Sequence, residues 1–387
     1  MKFNFDKLPN RRNTESYKWD LTKEGELPMW VADMDFEVFE DIKNALQKRV
    51  DVSCYGYSII PDAFFESICW WWEHRHHVKY EKEWLIYSSG VVAAISSMVR
   101  RLTNVGDKVI VQPPVYNIFY NSILNNKRIA VENQLMENNG EFTMDFEDLE
   151  AIMQDESTKL MILCNPHNPV GRLWNKEELA RVGELAKKYN VIVISDEIHC
   201  DIADPGYEYT PFLGASETNK EIGIAAISAS KAFNIAGLQS ACLIIPNEEL
   251  RKNVDRGLNN DEVAECNFFS MDANIAAFSK RGNEYINAMN EYIYRNKQYF
   301  MEFVNRELPQ LKVIDSKATY LMWVDISRLN MELDVFASKL REATGLFIAD
   351  GKKYRGDGDH YFRINLATSL ENVKDACERL KRFINSL

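Results

Sequence analysis

Lys231 poses the first chemical question of this chain. It lies in Ser228-Ala229-Ser230-Lys231-Ala232-Phe233-Asn234-Ile235-Ala236-Gly237-Leu238, with apolar runs at 223–227 and 241–245 on either side. The runs read as buried strands, and the residues after the lysine as a helix start. A cationic amine at the end of a buried strand is costly unless it is paired or neutral. A neutral amine is a nucleophile and a base, and one use of it is a Schiff base.

Other polar residues follow apolar runs in the same way. Asn168, in Asn165-Pro166-His167-Asn168-Pro169-Val170-Gly171, comes after the run at 159–164. Asp196 and His199 come after 191–195, and Tyr116 comes after Pro113-Pro114-Val115. Gly90, Val91 and Val92 open a helix predicted over 90–103. A carboxylate such as Asp196 can hold a pyridinium proton through a charge-assisted hydrogen bond. Asn168 can donate to a phenolic oxygen, and Tyr116 can stack on a ring or hydrogen-bond its oxygen. Helix-start N–H groups at 90–92 suit a phosphate, with Ser228 and Ser230 as added hydroxyl donors. A pyridine nitrogen, a phenolic oxygen, an aldehyde and a phosphate are the parts of pyridoxal 5′-phosphate (PLP).

The elements that must position these groups alternate. Strands are predicted at 107–112, 159–164, 191–195, 223–228 and 240–245. Helices are predicted at 90–103, 115–125 and 175–189, the last with Asn175 as N-cap, Glu177 and Glu178 first, and Lys187 and Lys188 near its end. Short apolar strands between helices imply an α/β fold with a mainly parallel sheet covered on both faces. Ligands of such sheets collect at the carboxyl ends of the strands. The stretch 270–305 reads as helical with an interruption at Arg281-Gly282-Asn283. Strands at 319–325 and 360–366 and helices at 333–343 and 370–386 then suggest a smaller α+β unit. The expected division is a large cofactor-binding domain over 46–282 and a small domain from 1–45 with 283–387.

The whole chain sets the class. Its 387 residues, 46% hydrophobic, are ample for two domains. A net charge of −12 argues against nucleic acid as a partner. No apolar run approaches the roughly 20 residues of a membrane span, and the first residues lack a signal-peptide core. Seven scattered cysteines without CxxC spacing suggest a reducing cytoplasm, with neither disulfides nor zinc. Glu73-His74-Arg75-His76-His77 lacks a partner carboxylate or cysteine at ligand spacing, so it reads as a solvated helix end rather than a metal site. Trp70, Trp71 and Trp72 cannot share one helix face, so at least one should be partly exposed.

In order and interval, NPHNPVG, SDEIHCD and SASKAFNIAGL resemble the class I/II aminotransferase family of PLP enzymes, of fold type I. Within it, KWD (18–20), MWVADMDF (29–36), YGYS (55–58), SSGVVAAI (88–95) and PPVYNIF (113–119) are most similar to the C–S β-lyase group, the MalY/PatB-type cystathionine β-lyases. The resemblance implies PLP on Lys231, Asp196 on the pyridine nitrogen, Asn168 on the phenolic oxygen and Tyr116 facing the ring. It implies phosphate contacts from Gly90, Val91, Val92, Ser228 and Ser230, and a homodimer in which Tyr57 reaches the partner's cofactor. Tyr55, close by, is the alternative. Arg363 matches the clamp for an amino-acid substrate's carboxylate. His199 either supports Asp196 or is a satisfied buried histidine.

One position departs from the aminotransferase pattern. An arginine eight residues after the lysine is common there as a phosphate contact, and this chain has Gln239. The lyase group also commonly lacks it. The expected activity is therefore α,β-elimination from cystathionine or related S-substituted cysteines, in methionine or cysteine metabolism. An aminotransferase with the same site is the alternative, as is a lyase with an additional regulatory binding role.

Overall fold

The apolar runs assemble into one seven-stranded sheet in a computed structural model that describes residues 3–387. Its strands are β1 (Leu85–Ser88), β2 (Lys108–Val111), β3 (Ile129–Glu132), β4 (Thr158–Cys164), β5 (Ile192–Asp196), β6 (Gly223–Ile227) and β7 (Ala241–Ile244). Their order across the sheet is β1-β7-β6-β5-β4-β2-β3. Strands β3, β2, β4, β5 and β6 pair in parallel, and β7 pairs antiparallel with both β6 and β1. Strands β4 to β7 are buried almost throughout, as a sheet covered on both faces requires.

The helices follow the expected signals. Helix α1 (Asp62–Arg75) precedes the sheet, α2 (Val91–Leu102) follows β1, and α3 (Ile118–Leu124) follows β2. Helix α4 (Lys176–Lys188) begins with a complete capping box between Asn175 and Glu178. In α1, Trp71 and Trp72 are buried, while Trp70 is partly exposed and stacks on His74.

Three local expectations are corrected. The residues after Lys231 form turns, followed only by a 3₁₀ turn over Ala236–Leu238. The helical break falls at Phe278–Ser279, between α5 (Ser270–Ala277) and α6 (Lys280–Glu307). Ser279 caps α6 by accepting from the Gly282 N–H (3.1 Å), so Arg281-Gly282-Asn283 form the first turn of that helix. The end of α1 is not simply solvated. Arg75 and His76 turn inward to the buried Asp201 carboxylate (2.9 and 3.0 Å), which also accepts from Trp71 Nε1 (2.9 Å). That carboxylate lies 125 residues away in sequence, beyond any local pattern.

A second, antiparallel sheet has the order β8 (Lys312–Val313), β9 (Leu321–Asp325), β11 (Tyr361–Asn365), β10 (Ala349–Asp350). Alternation divides its side chains. Met322, Val324, Phe362 and Ile364 join a core with α7 (Leu333–Thr344) and α8 (Leu370–Ile384). Trp323 and Tyr361 pack into the main core instead. Arg363 lies between Phe362 and Ile364, and so on the face of Tyr361 and Trp323.

The N-terminal segment joins the two cores. Leu27 and Met29 pack with the small-sheet core, and Met34, Phe36 and Phe39 with the main one. Between them, residues 30–36 form a strap held by buried polar groups. Lys18 Nζ reaches Asp35 (2.8 Å) and the Asp33 carbonyl (3.0 Å), and Trp19 Nε1 donates to Asp35 (2.8 Å). Lys18 and Asp35 are both buried, so removing Asp35 leaves the Lys18 cation without its carboxylate. Asp35→Ala is expected to lower unfolding free energy by about 3 kcal/mol in urea titration, and a loss near zero would contradict this role.

Candidate active site

The carboxyl ends of β1, β2, β4, β5 and β6 point to one side of the main sheet. Register places Cys164 opposite Asp196, and Asp196 opposite Ala226. The residues just past these ends meet at one cavity of about 740 Å³. Gly90, Val91, Val92, Tyr116, Asn168, Asp196, His199, Ser228, Ser230, Lys231 and Arg363 all line it. Tyr57 does not. It is fully exposed, in an extended segment between two helices.

Lys231 is enclosed, and its amine donates to the Ala32 carbonyl of the strap (2.9 Å). Burial lowers its basicity, with the Arg363 charge adding to the effect and Asp33 and Asp196 opposing it. Asp196 is buried at the end of β5 and accepts one hydrogen bond, from the Ile198 N–H (3.1 Å). Burial pushes its pKa up to about 7, against that N–H and the Lys231 charge. A cation beside this carboxylate would restore its ionised form. His199 is also buried. Desolvation and the charges of Lys231 and Arg363 pull its pKa down to about 3, so the ring is neutral. Its Nδ1 has no hydrogen-bond partner among the described residues.

Arg363 is held without an acid. Its Nη1 donates to Asn168 Oδ1 (3.0 Å) and its Nη2 to the Trp30 carbonyl (3.0 Å). Its Nε is buried and unpartnered among the described residues, and no carboxylate there forms an ion pair with it. Tyr354 lies 5.0 Å beneath the guanidinium. A buried guanidinium with only neutral partners is prepared for an incoming carboxylate.

At the other side, Gly90 adopts φ +149°, which favours glycine although a Cβ would meet nothing within 4 Å. It starts α2, whose first N–H groups have no partner within the helix. Ser228 gives its hydroxyl proton to the Ser240 carbonyl (2.6 Å) and accepts from the Ser230 N–H (3.1 Å). The hydroxyl that the sequence offers as a donor is thus already engaged. Gln239 lines the same cavity, at φ +45°.

The unmatched groups suit PLP: an amine of lowered basicity, a carboxylate lacking a cation, free helix-start N–H groups and a nearby Asn168 amide. Sequence reading missed several lining groups. The Trp30 and Ala32 carbonyls gave no signal, since any residue supplies one. Lys353 and Tyr354 lie outside the motifs, in a turn before β11, and reach the cavity only through the small sheet.

Known proteins resemble this chain over nearly its whole length. Over residues 27–380 the chain matches the family described as aminotransferase class I and II. It is 38% identical to cystathionine beta-lyase PatB of Bacillus subtilis, covering 99% of this chain and 100% of that protein. It is 29% identical to protein MalY of Escherichia coli, covering 94% of each. Cystalysin from Treponema denticola, solved with its pyridoxal 5′-phosphate cofactor, superposes with a TM-score of 0.95 at 30% identity, covering all of both chains. The PLP-bound C–S lyase of Staphylococcus hominis, complexed with L-cycloserine, gives 0.92 at 33% identity and 99% of each chain. The chain belongs to the class I and II aminotransferase family, with the α/β architecture of fold type I and PLP as the cofactor.

Proposed function

We propose that this protein is a PLP-dependent C–S β-lyase acting on S-substituted L-cysteines such as cystathionine. The observation that carries the reading is Arg363, a buried guanidinium with no acid partner among the described residues, sharing one cavity with the amine of Lys231. The names of the relatives and Gln239 in place of an arginine support a lyase over a transaminase.

PLP bound here supplies an electron sink for the pair left on the substrate Cα. Asp196 and Lys231 would hold its pyridine and aldehyde ends, with Asn168 and Tyr116 between and the 90–92 amides and Ser230 at the phosphate, while Ser228, its proton given to Ser240, would support Ser230. Arg363 takes the substrate carboxylate in its fork, which orients the Cα–H bond. Lys231, made a weaker acid-holder by burial, accepts the Cα proton. The Cβ–S bond then breaks, and sulfur leaves with its electron pair and takes up a proton. The three-carbon enamine tautomerises and hydrolyses. The overall reaction is R–S–CH₂–CH(NH₃⁺)–COO⁻ plus water to R–SH, pyruvate and ammonium. Tyr57, exposed in one chain, is read as completing the site of a second copy in a homodimer. The domain division at residues 46 and 282 is retained as part of this proposal, with the cytoplasm as the compartment.

Purified protein with PLP should release thiol and pyruvate in equal amounts from L-cystathionine without any 2-oxo acid. A requirement for a 2-oxo acid would instead identify a transaminase. Lys231→Ala should lose turnover by at least about 10³-fold, as expected when nucleophile and base are removed together.

Asp196 predicts a pH effect on the cofactor-free protein. Its folded pKa, about 7, lies above the unfolded value, so the folded form binds the extra proton between about pH 4 and 7. Its contribution to stability is present below that window and lost as pH rises through 7. Cofactor-free Asp196→Asn should therefore gain on wild type as pH rises from 5 to 8. Denaturant midpoints that keep a constant gap over that range would contradict the assignment.

The dimer reading has its own test. Tyr57→Ala and Lys231→Ala proteins, each impaired alone, should regain activity when unfolded together and refolded as mixed dimers. Activity no greater than the sum of the separate proteins would remove Tyr57 from the site.

A further inference from the structure

Four charged side chains line the cavity: Asp196, Lys231, Arg363 and Lys353. The first three have roles in the reading above, and Lys353 has none. It sits in the 3₁₀ turn Gly351–Tyr354, which directly follows β10. Its neighbour Lys352 is spent on acids, reaching Asp334 (3.1 Å) and Glu332 (3.7 Å). Lys353 has no ion pair or hydrogen bond from its amine among the described residues. The carboxylate next along the chain, Asp350, is already accepting from the Lys352 N–H (2.8 Å).

The turn that carries Lys353 is fixed on both sides. The Val115 N–H donates to the Tyr354 carbonyl (2.9 Å), which ties the turn to the loop bearing Tyr116. Arg355 lies 3.7 Å over the Tyr120 ring and 3.3 Å from Glu132. Tyr354 itself is buried beneath Arg363. The amine of Lys353 therefore leaves a rigid base at the mouth of the cavity. Although exposed, it is crowded by protein and by the Arg363 charge, which together draw its pKa down to about 8. Lys353 Nζ lies 5.6 Å from the centroid of the Tyr354 ring, and the Arg363 guanidinium lies 5.0 Å from the same centroid, so both cations share that end of the cavity.

Asn121, in the middle of α3, and Asn117 and Asn125, its two caps, also line the cavity, with Ser96 of α2. Asp196 is the one acid among the described lining residues, and Asp350, outside the lining, partly offsets the lowering at Lys353. Once the α-carboxylate occupies Arg363, one cation is left over at the mouth, where the sulfur substituent of the substrate must extend.

We infer that Lys353 is a specificity-determining residue that receives a second carboxylate, carried on the sulfur substituent of the amino-acid substrate. This rests on the proposed function and narrows its substrate class to S-substituted cysteines with an acidic distal end. Such compounds are favoured over S-alkyl cysteines of similar length and over those with a distal amine only. The distal contact forms outside the reacting bonds, so it acts on binding rather than on the chemical step.

The test uses the PLP-loaded enzyme and three compounds: L-cystathionine, S-butyl-L-cysteine and S-(2-aminoethyl)-L-cysteine. Dissociation constants are read from the change in visible cofactor absorbance on rapid mixing, before turnover, and pyruvate is followed in parallel. Lys353→Met keeps the apolar stem and removes the charge. It should weaken L-cystathionine about fivefold and leave S-butyl-L-cysteine unchanged, the size expected of a partly exposed ion pair. Lys353→Glu should weaken L-cystathionine further and strengthen S-(2-aminoethyl)-L-cysteine. Lys352→Met, on the same turn but facing Asp334, should change none of the three. Equal weakening of all compounds in Lys353→Met would assign the residue to the α-carboxylate or to folding and overturn the inference, as would no change at all. Absence of pyruvate from wild type would overturn the lyase reading alone, since the binding ratios are obtained without it.

Discussion

Parallel pairing that sets Cys164, Asp196 and Ala226 side by side near the ends of β4, β5 and β6 is the constraint on which the site depends. Register puts these ends level, and the chain must leave each strand on the same side of the sheet. Asn168, Asp196 and Lys231 come from three different loops, yet they need no long excursion to meet. The antiparallel strand β7 adds Gln239 and Ser240 from its amino end, which lies at that same edge. A slip of one residue in any pair would turn Asp196 to the opposite face.

The strap at residues 30–36 is the second structural condition. Its carbonyls hold both functional cations, Lys231 through Ala32 and Arg363 through Trp30. Asn365, two residues beyond Arg363, donates to the Val31 and Asp33 carbonyls (2.7 and 2.8 Å). Asn234, three beyond Lys231, donates to the Met34 and Phe36 carbonyls (3.0 and 2.9 Å). Each functional cation thus has an asparagine on its own segment that fastens the same strap. Main sheet, small sheet and strap are joined through amides and carbonyls, which keep their character whatever the protonation of the site.

Electrostatically the cavity is a set of groups that the chain does not satisfy by itself. Asp196 lacks a cation, Arg363 lacks an anion, and His199 keeps an unpartnered nitrogen. Elsewhere two buried carboxylates, Asp204 and Asp201, are paired with cations. Lys297 meets both oxygens of Asp204 (2.7 and 2.8 Å) and the Ser316 carbonyl (2.9 Å). Asp201 likewise has Arg75, His76 and Trp71. These paired charges hold the fold, in contrast to the open ones of the cavity.

Much of this was legible in the chain, because strand and helix signals are local. Apolar runs placed five of the seven strands of the main sheet within a residue or two and left out β1 and β3, Asn175 marked the start of α4, and the polar residues after those runs identified the cavity. The same local signals failed where a distant group decides. Gly282 suggests a break, but the Ser279 cap absorbs it into a helix. The histidines at 74–77 look solvated until Asp201 arrives from the loop after β5. Alternation along β11 allows Arg363 to face either way, and only the small core taking Phe362 and Ile364 turns it to the cavity. Tertiary structure alone put Lys353 beside it and drew the Trp30 and Ala32 carbonyls to the two cations. Backbone carbonyls and unpaired lysines have no sequence pattern, and packing between segments hundreds of residues apart sets their positions.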